Sequence, residues 1–131
     1  MGVSVTVRDE SSTGRTSRAV TLSDVPPTTT LRELIRTRVR EEGASYNAAP
    51  APVFEGLVMP AGATPAAQGF SMPTPRRIDW EEQAALAIDA FGGNRFFALV
   101  DGRQVVDLDE ELRLTADSDV RFLRLVPLVG G

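Results

Sequence analysis

Apolar and polar residues alternate near the start of the chain. The segment VSVTV, residues 3–7, places a β-branched valine at every second position, which is the pattern of a strand with one buried face. A second run of this kind, RAVTLSDV at residues 18–25, follows the turn-forming segment SSTG, and Pro26 and Pro27 end it because proline cannot continue a hydrogen-bonded ladder. The chain is therefore expected to begin with a β-hairpin.

The pattern takes on a helical period after these prolines. Thr30 and Glu33 have the spacing of a capping box, which predicts the start of a helix. Gly43 is the predicted end of that helix. Four apolar residues fall on one face of it and predict packing on a sheet: Leu31, Leu34, Ile35 and Val39.

Residues 47–75 differ from the rest in composition. The segment NAAPAPVFEGLVMPAGATPAAQGFSMPTP contains so many prolines and glycines that regular structure is excluded over most of it. Val53, Phe54 and Met59 are nevertheless too apolar for a solvated linker. We interpret the segment as an insertion whose apolar part either docks locally or contacts a partner.

A second helix is expected directly after this insertion. Asp79 is placed as its N-cap and Glu82 follows three residues later, while Gly92 and Gly93 close it. Trp80 stands at its first turn. This tryptophan is interpreted as an anchor for the insertion, with an exposed contact for a partner as the alternative.

The final third returns to strands. In RFFALVDGRQVV, Asp101-Gly102 suits the positive φ angles of a type I′ hairpin turn. Because side chains alternate along a strand, Phe97 and Leu99 lie on the face opposite to the one that enters the core. A last strand is expected over residues 120–126, and Pro127 ends its pairing.

The order of elements predicts an α+β fold. A mixed sheet with the first and last strands adjacent in its centre would wrap around the first helix, which is the β-grasp arrangement. The insertion and second helix, about residues 43–93, then lie between the first helix and the third strand. We expect a domain over residues 1–126 and a flexible C-terminal tail over residues 127–131.

Composition limits the chemistry that this chain performs by itself. It contains no cysteine and no histidine, which excludes thiolate and imidazole catalysis and the commonest zinc ligands. The net charge of −4 argues against nucleic-acid binding, which needs a basic face. No apolar run is long enough to span a membrane, and residues 1–10 lack the regions of a signal peptide, so a cytoplasmic protein is expected.

Consecutive carboxylates at residues 107–111 are a further candidate site. Such a run between strands is most often a solvated loop, so Asp107, Asp109, Glu110 and Glu111 are not predicted to be catalytic or to hold a metal. A contact with an arginine-bearing partner is the alternative.

The C-terminal segment DSDVRFLRLVPLVGG and the order of elements resemble ubiquitin-like proteins and their prokaryotic relatives, the sulfur carriers of thiamine and molybdopterin synthesis. An acidic turn, an apolar strand, Pro127 and the terminal pair Gly130-Gly131 stand in matching places. The arginine-bearing strand FLRLVPL is similar to that of ubiquitin. The resemblance covers roughly residues 3–42 and 95–131 and leaves the insertion without a counterpart.

This resemblance implies a substrate of other enzymes rather than an enzyme. A partner adenylating enzyme would use ATP to activate Gly131, so no cofactor bound by this chain is implied. Gly130 and Gly131 suit a chain end that must enter a narrow channel, because neither places a Cβ beside the reacting carbonyl. Leu128 and Val129 would give the partner an apolar grip.

The resemblance also implies a set of partners and a recognition face. In ubiquitin-like proteins the outer face of the third strand carries an apolar patch, which corresponds here to Leu99 with Phe97; the alternative is that the insertion covers this face and makes it core. The implied partners are the adenylating enzyme, a conjugating enzyme, a JAMM-type protease and a target protein.

Three functions remain open at this point. A bacterial ubiquitin-like modifier is favoured because an insertion of about 30 residues suits a protein with several partners better than a compact carrier. The alternatives are a sulfur carrier with a C-terminal thiocarboxylate and a β-grasp binding module that is never conjugated.

Overall fold

The computed structural model describes residues 2–11, 16–66, 69–73 and 76–125. Their contacts divide the chain into two compact units. Unit 1 comprises Met1–Leu34 and Phe91–Gly131, and unit 2 comprises Ile35–Ala90. The predicted turn SSTG, apart from Ser11, and the predicted tail lie outside the described residues.

Unit 1 is built on a mixed five-stranded sheet with the order β2-β1-β10-β7-β8. These strands are β1 (Val3–Ser11), β2 (Thr16–Val25), β7 (Phe96–Val100), β8 (Arg103–Val105) and β10 (Val120–Arg124). Strands β1 and β10 are parallel, and the other neighbours are antiparallel. The α+β class and the mixed sheet are thus as predicted, and the first and last strands lie side by side.

Alternating apolar residues fill the buried face of this sheet. Val5, Val7, Val120 and Phe122 are fully buried. The rings of Phe96 and Phe122 meet at 5.6 Å between centroids. Because each such side chain contributes roughly 1.5–3 kcal/mol on burial, this face supplies much of the stabilisation of unit 1.

The predicted hairpin turn between β7 and β8 is confirmed. Asp101 has φ 50° and Gly102 has φ 79°, so both central residues take the left-handed conformation that a type I′ turn requires. No Cβ penalty arises at Gly102, and aspartate tolerates this conformation better than most residues.

A second pair of strands in unit 1 was not predicted. Strand β3 (Thr28–Thr30) pairs antiparallel with β9 (Glu111–Arg113), which lies in the segment interpreted as an acidic connection. Each strand has three residues, which is too short for an alternation pattern to stand out in the sequence.

Helix α1 (Leu31–Ala48) begins where the sequence predicts. The Thr30 Oγ1 accepts a hydrogen bond from the Glu33 backbone N–H at 3.2 Å, an N-cap worth about 1 kcal/mol. The four apolar residues predicted to be buried are all fully buried: Leu31, Leu34, Ile35 and Val39.

The predicted end of α1 at Gly43 is wrong. The helix continues to Ala48, and Gly43 lies inside it, where an added Cβ would be 3.4 Å from the Cβ of Trp80. Gly43 is therefore not a cap but a residue inside the helix, where an added Cβ would make an ordinary van der Waals contact with Trp80.

Unit 2 contains a small antiparallel sheet with the order β4-β6-β5. Its strands are β4 (Val53–Phe54), β5 (Thr64–Ala66) and β6 (Gly69–Ser71). Most of the described residues between 47 and 73 lack regular structure, as predicted, but this sheet was not predicted. Gly69 has φ 153° and a Cβ there would lie 2.6 Å from the Phe54 carbonyl oxygen, so glycine permits the close pairing of β4 and β6.

The insertion has its own buried cluster, formed by Tyr46, Phe54, Ala63, Met72 and Ile78. The rings of Tyr46 and Phe54 pack edge to face at 5.4 Å between centroids, and the Tyr46 hydroxyl donates to the Ala51 carbonyl oxygen at 2.6 Å. The interpretation of local docking is therefore correct for Phe54, whereas Val53 and Met59 stay exposed.

Helix α2 (Trp80–Gly92) has the predicted N-cap. The Asp79 Oδ1 accepts from the backbone N–H groups of Glu81 at 3.0 Å and Glu82 at 3.4 Å. The helix ends at Gly92, as predicted. Within the described residues, neither α1 nor α2 has the length and apolar composition that crossing a membrane requires.

Candidate functional site

Four of the predicted site residues lie beyond the described part of the chain. Gly130, Gly131, Leu128 and Val129 follow Leu125, which is the last residue that the structure describes. Their predicted roles stay predictions. The described part of the site is the end of β10, from which this segment continues.

Strand β10 holds that end in the centre of the sheet. Its last residue, Arg124, is in register with Ser11 of β1 on one side and with Phe96 of β7 on the other. The Leu125 backbone N–H still donates to the Arg95 carbonyl oxygen at 3.4 Å. The Leu125 side chain is 46% exposed, so the chain reaches solvent as it leaves the sheet.

Two arginines on β10 are paired with acidic residues of β1. The Nη2 of Arg124 lies 3.5 Å from the Asp9 Oδ2, and the Nη1 of Arg121 lies 2.9 Å from the Glu10 Oε1. Arg121 also contacts Asp119 at 3.0 Å, and this hydrogen bond raises the pKa of the guanidinium above its usual value. Ion pairs thus join β1 and β10 on both faces of the sheet.

Asp9 is the unusual member of this group, because its side chain is fully buried. Its Oδ2 also lies 3.2 Å from Arg18 Nη2, on the opposite neighbouring strand β2. One buried carboxylate therefore connects three adjacent strands. The position of Asp9, two residues after Val7, places it on the buried face, but no local pattern in the sequence marks its arginine partners.

Phe97 and Leu99 lie where the sequence predicts, on the face of β7 opposite to the core. Both are half-buried, whereas Phe96 is only 2% exposed. In the register, Phe97 stands opposite Leu123 and Leu99 stands opposite Arg121. The partly accessible group Phe97, Leu99 and Leu123 is called the outer apolar patch, and its role in partner binding stays a prediction.

Two of the four carboxylates in the acidic run are paired with arginines of unit 1. Arg32 donates to both carboxylate oxygens of Asp109, at 3.0 and 3.3 Å, and Arg103 donates to Glu110. Each guanidinium lowers the pKa of its carboxylate below the usual range. Across the described ranges, no group of three or more potential ligands stands together in a way that suits a metal ion.

A second candidate region lies in unit 2, at the start of α2. The guanidinium carbons of Arg36 and Arg40 stand 5.1 and 5.8 Å from the centroid of the Trp80 ring. The Asn47 side chain donates to the Ile78 carbonyl oxygen at 2.9 Å and accepts from its N–H at 2.7 Å. Trp80 is half-buried and contacts two arginines of α1, and its interpretation as an anchor for the insertion stays a prediction.

The sequence contains only a weak signal for this second region. Gly43 and Trp80, the single tryptophan, are the residues that could indicate it, and Gly43 predicts a helix end instead. Arg36 and Arg40 both lie within the predicted first helix and are one helical turn apart, a spacing that allows them to share a contact.

Comparison with family models, with curated proteins and with solved structures gives no significant match to the chain. Its function is therefore argued from topology and chemistry.

Proposed function

We propose that the chain is a bacterial ubiquitin-like protein modifier with the β-grasp fold. An ATP-dependent enzyme adenylates the Gly131 carboxylate, a conjugating enzyme receives the acyl group, and a target protein is its final acceptor. A JAMM-type protease reverses the linkage. The observation that carries this proposal is the central position of strand β10, the last strand before Gly130-Gly131 in the sequence.

The strand order of unit 1 supports the β-grasp assignment. The hairpins β1-β2 and β7-β8 are each antiparallel. The last strand, β10, lies between them and pairs in parallel with the first strand, β1. Helix α1 follows the first hairpin along the chain, and its residues Leu31 and Leu34 are fully buried. A β-grasp protein has this order and this direction of strands.

The chemistry assigned to Gly131 needs only a free carboxylate on this chain. A carboxylate oxygen attacks the α-phosphorus of ATP and pyrophosphate leaves, which yields an acyl-adenylate. A cysteine thiolate of the partner then attacks the carbonyl carbon and AMP leaves. Since the chain has neither cysteine nor histidine, the partner must supply the nucleophile and the acid–base groups.

The outer apolar patch supports recognition by such a partner. Leu123 of the patch stands two residues before Leu125, at which the described chain ends. An enzyme that contacts Phe97 and Leu99 would therefore meet the start of the tail beside them, with Leu128 and Val129 closer to the reaction centre. Lysine is absent from this chain, so an amide bond between Gly131 and a lysine side chain could only join it to a different protein.

The test is activation by an adenylating enzyme encoded beside this gene. ATP–pyrophosphate exchange reports the adenylate, and intact mass under nonreducing conditions reports the thioester. Deletion of Gly131 is expected to reduce exchange by about 100-fold or more, because the carboxylate is then misplaced by one residue. Gly92→Ala is the matched control, since an added Cβ there meets nothing within 4 Å.

Two results would change the assignment. A thiocarboxylate on Gly131 in place of a thioester would support the sulfur carrier. Equal exchange with and without Gly131, or none with any neighbouring adenylating enzyme, would remove both conjugation and sulfur transfer and leave the binding module.

A further inference from the structure

Unit 2 contains a cleft of about 420 Å³ between the second half of α1 and the segment that enters α2. Its lining includes Arg40, Ala44 and Asn47 from α1, and Arg77 and Trp80 from the entry to α2. This volume lies within the range of small-molecule sites, and it also accommodates the end of a peptide.

The walls of the cleft are fixed by packing and hydrogen bonds. The paired hydrogen bonds of Asn47 with the Ile78 backbone join its two sides. At Gly43, α1 lies beside Ile78 and Trp80, with 3.5 and 3.4 Å between their side chains and the position of an added Cβ. A preformed cleft of this kind loses little conformational entropy when it is occupied.

The charges at the cleft favour an anion. Arg40 and Arg77 are exposed, and neither makes an ion pair with any described residue. The one acidic residue of the lining is Asp79, whose Oδ1 is engaged by the first backbone N–H groups of α2. The guanidinium groups of Arg40 and Arg77 therefore line the cleft, and neither forms an ion pair with a carboxylate among the described residues.

The hydrogen bonds that Asp79 accepts at the start of α2 also bear on which anion the cleft can bind. Phosphate groups are commonly bound by the free backbone N–H groups of a helix N-terminus, and here those groups are already engaged. The lining carries two guanidinium groups and one carboxylate, so it has one positive charge in excess, which matches a singly charged carboxylate. The indole of Trp80 offers an apolar surface beside the two arginines.

We infer that this cleft is a binding site for a carboxylate carried on a small apolar body. Arg77 and Arg40 pair with the carboxylate, and the apolar body lies against Trp80. Two sources have this chemistry: residues 128–131 of a second copy of this chain, and a free aliphatic carboxylic acid. The inference concerns unit 2 alone and does not depend on adenylation of Gly131.

The chain carries its own reporter, since Trp80 is its single tryptophan. We would titrate the protein with the acetylated peptide Leu-Val-Gly-Gly as the free acid, with the same peptide as the C-terminal amide, with 4-methylpentanoate and with inorganic phosphate. Trp80 fluorescence and the NMR shifts of its indole N–H and of the Asn47 side-chain amide are followed. The free-acid peptide is expected to cause a saturable change, and the amide to bind about tenfold more weakly.

Three variants locate the site. Arg77→Gln should weaken the acid peptide about tenfold by removing a charge-assisted hydrogen bond. Ala44→Leu fills the cleft without changing charge, suits a helix and should abolish binding. Arg76→Gln removes the same charge one residue away, outside the lining, and should bind as the wild type does. Thermal unfolding of each variant checks that unit 2 remains folded.

The source is decided by comparing ligands. If 4-methylpentanoate binds as tightly as the peptide, the cleft is a small-acid site. If the peptide binds more tightly and the full chain self-associates in a manner that Arg77→Gln abolishes, the tail of a second copy is the occupant. The inference is overturned if acid and amide bind equally, if phosphate binds as tightly as the acid peptide, or if neither reporter changes at about 1 mM of any carboxylate.

Discussion

Replacing Asp9 with asparagine is the sharpest test of how the end of β10 is held. The Asp9 side chain is fully buried and contacts two arginines, at 3.2 Å for Arg18 and 3.5 Å for Arg124. Asp9→Asn keeps the shape and one carbonyl oxygen of the side chain but removes its charge. Two guanidinium groups then lose their shared counter-charge.

The expected cost follows from the burial of the three groups. At an effective dielectric constant near 20, each pair attracts by about 5 kcal/mol, and desolvation of several kcal/mol per ion offsets most of this. Breaking a fully buried pair costs about 3–5 kcal/mol. Because Arg18 and Arg124 retain 20% and 30% side-chain exposure, water partly replaces the lost partner. We therefore expect Asp9→Asn to lower the free energy of unfolding by about 2–3 kcal/mol.

Urea denaturation at neutral pH measures this change, with Asp117→Asn as the matched control. Asp117 is exposed in a turn of the same unit, so its replacement should change stability by less than about 0.5 kcal/mol. The cost at Asp9 should persist in about 1 M salt, where the Debye length is only about 3 Å, since salt screens buried pairs less than exposed ones.

The reasoning fails if Asp9→Asn matches the Asp117 control. It also fails if the loss of stability disappears in high salt, because the pair would then behave as a surface ion pair. Either result would mean that packing and backbone pairing alone hold the end of β10.

Two further predictions concern charges elsewhere in the chain. Glu42→Gln should destabilise the protein by about 3 kcal/mol in urea denaturation, because Arg38, which is fully buried, loses a partner at 3.3 Å; a change below about 0.5 kcal/mol would contradict this. Asp109→Asn should make the free energy of unfolding depend less steeply on pH under acidic conditions. The folded-state pKa of Asp109 is lowered by Arg32, so its contribution is present at neutral pH and is lost as the pH falls through that value. NMR titration checks the wild-type pKa, and an unchanged acid slope in the variant would refute the assignment.

Sequence patterns predicted the elements that depend on neighbouring residues. Thr30 and Asp79 cap helices through side-chain bonds to backbone N–H groups two or three residues later. The turn at Asp101-Gly102 depends on the φ preferences of those two residues. Each of these signals involves residues at most three positions apart. Local propensity therefore decides these structures.

Features that depend on distant residues were missed or misassigned. A glycine at this position predicts a helix end, but α1 continues through Gly43 and packs there beside Trp80, 37 positions later in the numbering. The pairing of Asp9 with Arg18 requires the strand register, which no local pattern contains. Alternation from Val5 and Val7 does place Asp9 on the buried face, but the residues that neutralise it are set by tertiary structure.

The same register limits where an activating enzyme could act, if the proposed function is correct. Strand β10 is hydrogen-bonded on both sides, so Leu125 cannot move far unless the sheet opens. The six residues after Leu125 reach at most about 20 Å when fully extended. Since Leu123 and Phe97 are cross-strand neighbours on the outer face, a partner bound to that face must hold its ATP within this reach of Leu125. Deleting a few residues between Leu125 and Gly130 would therefore leave patch binding intact and slow adenylation, whereas replacing Phe97 would weaken both.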